Sequence, residues 1–426
     1  MDKKRILIFT VNAWSNVGGT YTFSSLFRDY GSQYLANICI RDQSPDSKLC
    51  SRYFRISEQK ILGRYFNPFI KTGTEIKIGE INKSDNTNRK PHAGESRRNF
   101  FLLLMREIMW KLGFWKSREL KEFLDDFSPQ IIVYAMEGYV HLNRIVRYSI
   151  KRTGARAIGY FWDDNFTYKQ YTGFWFKILR FFQKRELKKC VKITDGFWAI
   201  SPKTKKEADQ VFGIDCVLIT KPIYEFKKLS ISNVRQPYKI MYTGNLLIGR
   251  LNTLTALIDI LDTINVEAIY FELEVYTQTN IGEKCIERLS RPWCKFFYNI
   301  PQSVISDKQA TSDILVLLED IYGGNRKVAR LSFSTKITDY FAAGKCILAI
   351  GDEDIASIEY LKSEDSAIIA SNKEEIFQKL TDIMKNPKLI TDFQKKAFEC
   401  GVRNHSANII KKRIDETIEK VSRKEK

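Results

Sequence analysis

Twice along this chain, short runs of apolar, β-forming residues alternate with stretches of helical spacing, and that alternation leaves few folds open. In the first half the runs are ILIFTV from Ile6, IIVYAM (131–136), ARAIGYFW (155–162) and GFWAIS (196–201). The second half has KIMYTG (239–244), IYFELEVY, CKFFY, DILVLL (313–318), CILAI and AIIA (367–370). Strands this apolar, separated by helices, predict parallel sheets covered on both faces. Around 219–237, Pro222 and Pro237 punctuate a stretch without periodicity, which reads as a linker. The expected fold class is therefore α/β with two doubly wound Rossmann-like domains. Their expected limits are 1–222 and 238–402, joined by a linker at 223–237, with a C-terminal helix at 403–426 crossing back to the first domain. Ligands in such sheets sit beyond the carboxyl ends of the strands, so a cleft between two facing domains is the expected site.

Composition narrows the partners. The 69 basic and 50 acidic side chains leave a net charge of +19 across 426 residues, which points to an anionic partner: a nucleic acid, a membrane surface or a phosphorylated ligand. Eight scattered cysteines show no CxxC and no histidine at metal-ligand spacing, the pattern of reduced thiols in a cytosolic protein without a metal site. The opening MDKKRILIFTV is too short in its apolar part for a signal peptide and lacks a small-residue cleavage site, so it reads as a first strand. The longest later apolar run, Phe100 to Met105, falls far below the roughly 20 residues that span a bilayer.

The stretch LSFSTKITDYFAAGKCILAIG, from Leu331 to Gly351, carries the most specific chemistry. Ser332, Ser334 and Thr335 offer N-cap hydroxyls, ITDYFAA has helical spacing, and Gly344 ends the helix before a buried strand. A helix start presents free N–H groups and the positive end of a dipole to an anion, and Lys336 adds a full charge. Asp339, one turn further in, suits ribose hydroxyls. The competing reading is an ordinary loop, helix and strand with a solvated lysine.

These residues resemble a family. YTGNLLIGRLNTL (242–254), TSDILVLLED (311–320), STKITDYFAAGKCILAIG (334–351) and RNHSANIIKKRID (403–415) are similar in order and content to the donor domain of GT-B glycosyltransferases, especially the family 4-like enzymes of bacterial surface polysaccharide synthesis. The first half is similar too, in its strand followed by Gly18 and Gly19, in IGYFWDDNFTY and in DGFWAISPKTKKEADQVFG. The resemblance implies a nucleotide-sugar donor, expected to be a UDP-sugar, with no cofactor. Gly244 and Asn245 would form the first donor-domain turn, Arg250 would neutralise the diphosphate, Ser334, Thr335 and Lys336 would sit on the phosphates, and Asp339 on the ribose. Gly18 and Gly19 would let a loop approach the sugar without a Cβ in the way. The family usually carries two glutamates eight positions apart. Here Asp339 stands at the second place and Leu331 at the first.

Catalysis in such a site rests on stabilising the departing nucleoside diphosphate, a role expected of Arg250 and Lys336 without a bound metal. An inverting reaction would also need a general base, for which Asp163, Asp164 and Glu137, all just after predicted strands, are the candidates, with His141 behind them. Helix capping and turn formation compete for Asp163 and Asp164. The segments 97–118 and 174–192 are basic and aromatic. Trp110, Trp115, Trp175, Lys177, Arg180 and Lys184 are expected to form a membrane or acceptor surface, the competing reading being helices packed on the sheet. The expected function is transfer of a sugar from a nucleotide donor to a glycan acceptor, lipid-linked as a polyprenyl diphosphate, by a cytoplasmic protein peripheral on the inner face of the membrane. The alternatives are a sugar-nucleotide epimerase on the same fold and a non-catalytic basic protein that binds membrane or nucleic acid. No nucleic-acid motif appears.

Overall fold

The computed structural model describes residues 3–14, 19–41, 44–78, 99–167, 169–229 and 235–424. The chain forms two compact units, one of Met1–Ile200, Thr204–Lys221 and Lys411–Lys426, the other of Ser201–Lys203 and Pro222–Ile410. The helix Ala407–Ser422 thus begins in the second unit and belongs to the first from Lys411 onward.

In the first unit, eight strands lie in one sheet: β1 (Ile6–Thr10), β2 (Leu35–Cys39), β3 (Arg52–Ile56), β4 (Gly73–Ile76), β5 (Ile131–Ala135), β6 (Arg156–Phe161), β7 (Gly196–Ala199) and β8 (Cys216–Leu218). Their order is β4-β3-β2-β1-β5-β6-β7-β8, and only the β3–β4 pair is antiparallel. Four of these strands, β2, β3, β4 and β8, have no counterpart among the predicted runs. Each is short, and two bury polar groups in the sheet: Asn37 of β2 donates from Nδ2 to the Ile8 carbonyl (3.1 Å), and Arg55 of β3 is 6% exposed. Such residues break the apolar signal that marks a strand.

The second unit holds β9 (Tyr238–Thr243), β10 (Phe271–Thr277), β11 (Cys294–Tyr298), β12 (Ile314–Leu318), β13 (Cys346–Ile350) and β14 (Ile368–Ala370). The order is β11-β10-β9-β12-β13-β14, parallel throughout. All six are among the predicted runs. The core packs one face of this sheet against helices such as Arg250–Ile264, which buries Leu254, Leu257, Ile258 and Leu261 at i, i+3, i+4 and i+7. That stripe fixes where the helix starts, and its first residue is Arg250.

Strand order reverses between β9 and β12 here, and between β1 and β5 in the first unit. Loops leaving neighbouring strands at such a point turn to opposite faces and open a crevice. Those crevices receive the loops after β9 and β12, and after β1 and β5.

Candidate functional site

The loop after β9 carries Gly244 and Asn245, the loop after β12 carries Glu319, and the helix Lys336–Ala343 brings in Lys336 at its first position. These meet around Arg250. Its Nη2 donates to Oε1 and Oε2 of Glu319, at 3.0 Å each, its Nε to the Leu318 carbonyl at 3.1 Å, and its Nη1 to Oδ1 of Asn245 at 2.8 Å. Glu319 is buried. Burial would draw the guanidinium down, but the Glu319 charge outweighs it and raises it, so Arg250 stays cationic.

Lys336 has no such partner. Its stem is partly exposed, yet Nζ is buried and makes no hydrogen bond to any described residue. It lies 4.7 Å from the centre of the Tyr242 ring, a cation–π distance. A Cβ on Gly244 would come within 2.5 Å of Nζ, and Gly244 sits at φ 132°, so glycine is required there both sterically and conformationally. Burial above all, and then the Arg250 charge, push the ammonium down to about 7, against the pull of Glu319 and Asp339. One buried carboxylate therefore serves two cations.

The helix start departs from expectation in one respect. Thr335 holds the N-cap position in helical conformation (φ −67°, ψ −12°) and no side chain caps the helix. The Thr338 hydroxyl turns back to the Thr335 carbonyl, and the Ser334 N–H goes to the Ser357 hydroxyl at 2.8 Å. The Thr335 side chain is thus not a cap, and of the first-turn N–H groups that of Ile337 goes to the Ser334 carbonyl at 3.2 Å. Asp339 lies in the first turn, partly exposed.

In the first unit a second cluster gathers beyond β5 and β6. Glu137 is 9% exposed, with Oε1 accepting from the Trp162 indole N–H (3.1 Å) and Oε2 from Asn165 Nδ2 (3.4 Å). Burial first, and then the nearby Asp163 charge, push this carboxyl up to about 7, against the Trp162 hydrogen bond and Arg41. Asp164 is different. Its carboxylate accepts from the Thr167 N–H (3.0 Å) and hydroxyl, so it closes a turn. Asp163 is exposed, and its Oδ1 accepts from the Asp164 N–H at 2.8 Å. His141 is a packing residue: Nδ1 pairs with Glu107 at 2.9 Å and Trp110 stacks on its ring at 4.3 Å. Gly19 opens the helix Gly19–Ser25, and Gly18 lies outside the described residues.

The chain shares its architecture with solved structures. HepE of Anabaena, in complex with UDP and glucose, superposes with a TM-score of 0.62 at 11% identity, over 98% of this chain and 99% of that one. A glycosyltransferase from Rickettsia africae matches with a TM-score of 0.58 at 14% identity over the full length of both chains, 100% of each. WaaG, a glycosyltransferase involved in lipopolysaccharide biosynthesis, matches with a TM-score of 0.58 at 11% identity over 97% of this chain and 99% of its own. This chain has the GT-B fold. No protein-family model matches the chain, and no curated protein matches it by sequence.

The structure brings Gly244, Asn245, Arg250 and Lys336 near one another, together with Tyr242 and Glu319. Glu319 ends the apolar run of β12, an address where functional side chains concentrate, and that position was the signal available in the sequence. The expected membrane or acceptor surface needs correction. Trp110 is 0% and Trp115 4% exposed, packed on His141 and Tyr148, because the helix Phe100–Lys111 and the turn after it pack these indoles into the unit's core. Arg180 also turns inward, donating from Nη1 to Gln183 Oε1 at 2.6 Å and lying 4.8 Å over the Phe176 ring. Trp175, Lys177 and Lys184 are exposed. Among the described residues, no helix is long and apolar enough to cross a membrane.

The buried lysine has a measurable cost. Between pH 7 and about 10 the unfolded chain holds a proton on Lys336 that the folded chain does not, so this group's contribution to stability rises with pH in that window. Lys336→Met is expected to raise the melting temperature at pH 7, with the gain shrinking toward pH 10, as read by scanning calorimetry across that range. An unchanged or lowered melting temperature at pH 7 would contradict the burial of an unpaired amine.

Proposed function

We propose that the protein is a glycosyltransferase of the family 4-like kind, which moves a sugar from a nucleotide donor, most simply a UDP-sugar, to a glycan acceptor. The observation that carries this reading is the unpartnered Nζ of Lys336 beside Arg250 at the switch point of the second sheet. A donor's diphosphate supplies the anion that the pair lacks. Its oxygens would accept from Lys336 and from the outward edge of Arg250, at the positive end of the helix dipole, with Ser334 and Thr335 alongside. As the sugar's anomeric carbon loses its bond to the diphosphate, negative charge grows on the leaving oxygen, and these donors stabilise it without a metal being required. Glu319 has a positioning role, keeping the Arg250 plane fixed and charged. Asp339 is assigned to the ribose hydroxyls.

On the acceptor side the reading assigns Glu137 as the acid–base group. Its carboxyl is raised to about 7, so near neutrality it exists in both forms and can take a proton from a hydroxyl. Trp162 and Asn165 hold it in place. Asp163 contributes charge, and Asp164 shapes the loop. HepE in complex with UDP and glucose supports the donor class, and WaaG, involved in lipopolysaccharide biosynthesis, supports a bacterial surface polysaccharide pathway with a lipid-linked acceptor. Such an acceptor places the enzyme at the cytoplasmic face of a membrane.

The donor assignment predicts that UDP at about 100 times its dissociation constant stabilises the protein by roughly 2.7 kcal/mol in a thermal-shift titration. Arg250→Ala and Lys336→Ala should each abolish the shift while remaining folded. If no nucleoside diphosphate moves the parent protein, the donor site is misassigned. For Glu137, replacement by Gln is expected to lower kcat about 100-fold or more with the UDP shift intact, and to remove the limb of the pH–rate profile near 7. A Gln variant with the parent's profile would assign the proton transfer elsewhere.

A further inference from the structure

Among the described residues, three elements of the first unit leave an apolar surface uncovered. On the helix Phe100–Lys111, Phe101, Met105 and Ile108 recur at i, i+4 and i+7, and Leu112 extends the same outward stripe. Leu104 and Trp110 already fill the inward side, so this helix is apolar on both faces. The ring of Trp175, 5.0 Å from that of Phe101, joins the stripe to the exposed aromatic residues of the helix Phe174–Val191, Phe174, Phe181 and Phe182. On the other flank the Tyr65 hydroxyl donates to the Met109 carbonyl (2.8 Å) and anchors the turn bearing Phe66 and Phe69, each 90% exposed. A contiguous patch of this kind marks a surface that is covered in use.

The charge around it selects what covers it. Each of these elements holds one acidic side chain, and each is engaged: Glu58 with Arg106 at 2.7 Å, Glu107 with His141 and with the N–H groups of Val140 and His141, and Glu186 with Arg147. The exposed charges that remain, among them Lys111, Lys177, Lys184, Arg185 and Lys188, are basic. A second copy of the same face would set these cations against each other. We infer that this patch seats the protein on an anionic lipid surface, with Phe66, Phe69 and the outward stripe among the acyl chains and the lysines against the headgroups. The inference gives the membrane part of the proposed function a definite surface and rests on that reading for its acceptor. It differs from the sequence expectation in its anchors, which are Phe66, Phe69, Met105 and Leu112 where Trp110 and Trp115 were expected.

The test is sedimentation of the full chain with phosphatidylcholine vesicles, with and without phosphatidylglycerol, in the absence of nucleotide. Binding should require the anionic lipid and weaken with salt. Each basic residue near the surface is worth about fivefold in affinity, so Lys184→Gln, Arg185→Gln and Lys188→Gln together should lose about 100-fold. The pair Phe66→Ser and Phe69→Ser should also release the protein, and both variants should keep the parent's cooperative melting temperature without nucleotide, which separates lost docking from lost folding. No binding of the parent to anionic vesicles overturns the inference, as does binding that neither variant weakens. A parent dimer that Phe66→Ser and Phe69→Ser dissociates also overturns it. Because no nucleotide is present, a failed donor site leaves this result unaffected, and a failed vesicle assay leaves the donor site standing.

Discussion

One buried carboxylate shared between two cations is the constraint around which the second unit is arranged. Glu319 satisfies Arg250 with two oxygens, and nothing comparable is left for Lys336, whose Nζ ends against the Tyr242 ring and the Gly244 backbone. A charge buried in this way costs on the order of a few kcal/mol, and a chain selected for stability alone would place an apolar residue there. The ammonium instead gives up much of its affinity for a proton. Under the proposed function an incoming diphosphate would restore that affinity, which would couple ligand binding to proton binding at this amine. The same logic runs with opposite sign in the first unit, where burial of Glu137 favours its neutral form.

The fold brings these groups together through backbone topology before side-chain chemistry enters. Because strand order reverses between β9 and β12, the loops after them part, and the amino end of the helix Lys336–Ala343 is held by Ile337, Tyr340 and Phe341 in the core. The Tyr340 hydroxyl donates to the Val316 carbonyl of β12 at 3.0 Å and tethers that helix to the strand that ends next to Glu319. Gly244 has to lack a side chain for Lys336 to lie where it does. Each of these is a packing requirement whose consequence is an electrostatic site.

Much of this was legible in the sequence because it follows from periodicity and punctuation. The apolar strands of the second unit, the Gly344 helix stop and Lys336 at a helix start carry local signals, whereas Gly244, Asn245 and Arg250 were implied at the site only by the family resemblance. Half the strands of the first sheet did not, since β2 and β3 bury Asn37 and Arg55 and β8 has only three residues. The function of Glu319 was hidden because a carboxylate after a strand looks the same whether it faces water or an arginine. Trp110 and Arg180 were misplaced for a related reason: a basic, aromatic helix has no polar face from which to infer which side is inward. Only tertiary packing, with Trp110 stacked on His141 and Arg180 donating to Gln183, decides it.

The central claim is that Lys336 becomes charged when it meets a diphosphate. The most direct test is calorimetric titration with UDP-glucose, whose diphosphate diester does not titrate near neutrality, at pH 8 in two buffers of different ionisation enthalpy. With the free amine at about 7, binding should take up close to one proton at pH 8, with affinity falling up to about tenfold per pH unit above 7, and Lys336→Arg should remove the uptake. Binding of the same ligand with no proton uptake at pH 8 would contradict the account, because the amine would then already be charged or would not touch the phosphates.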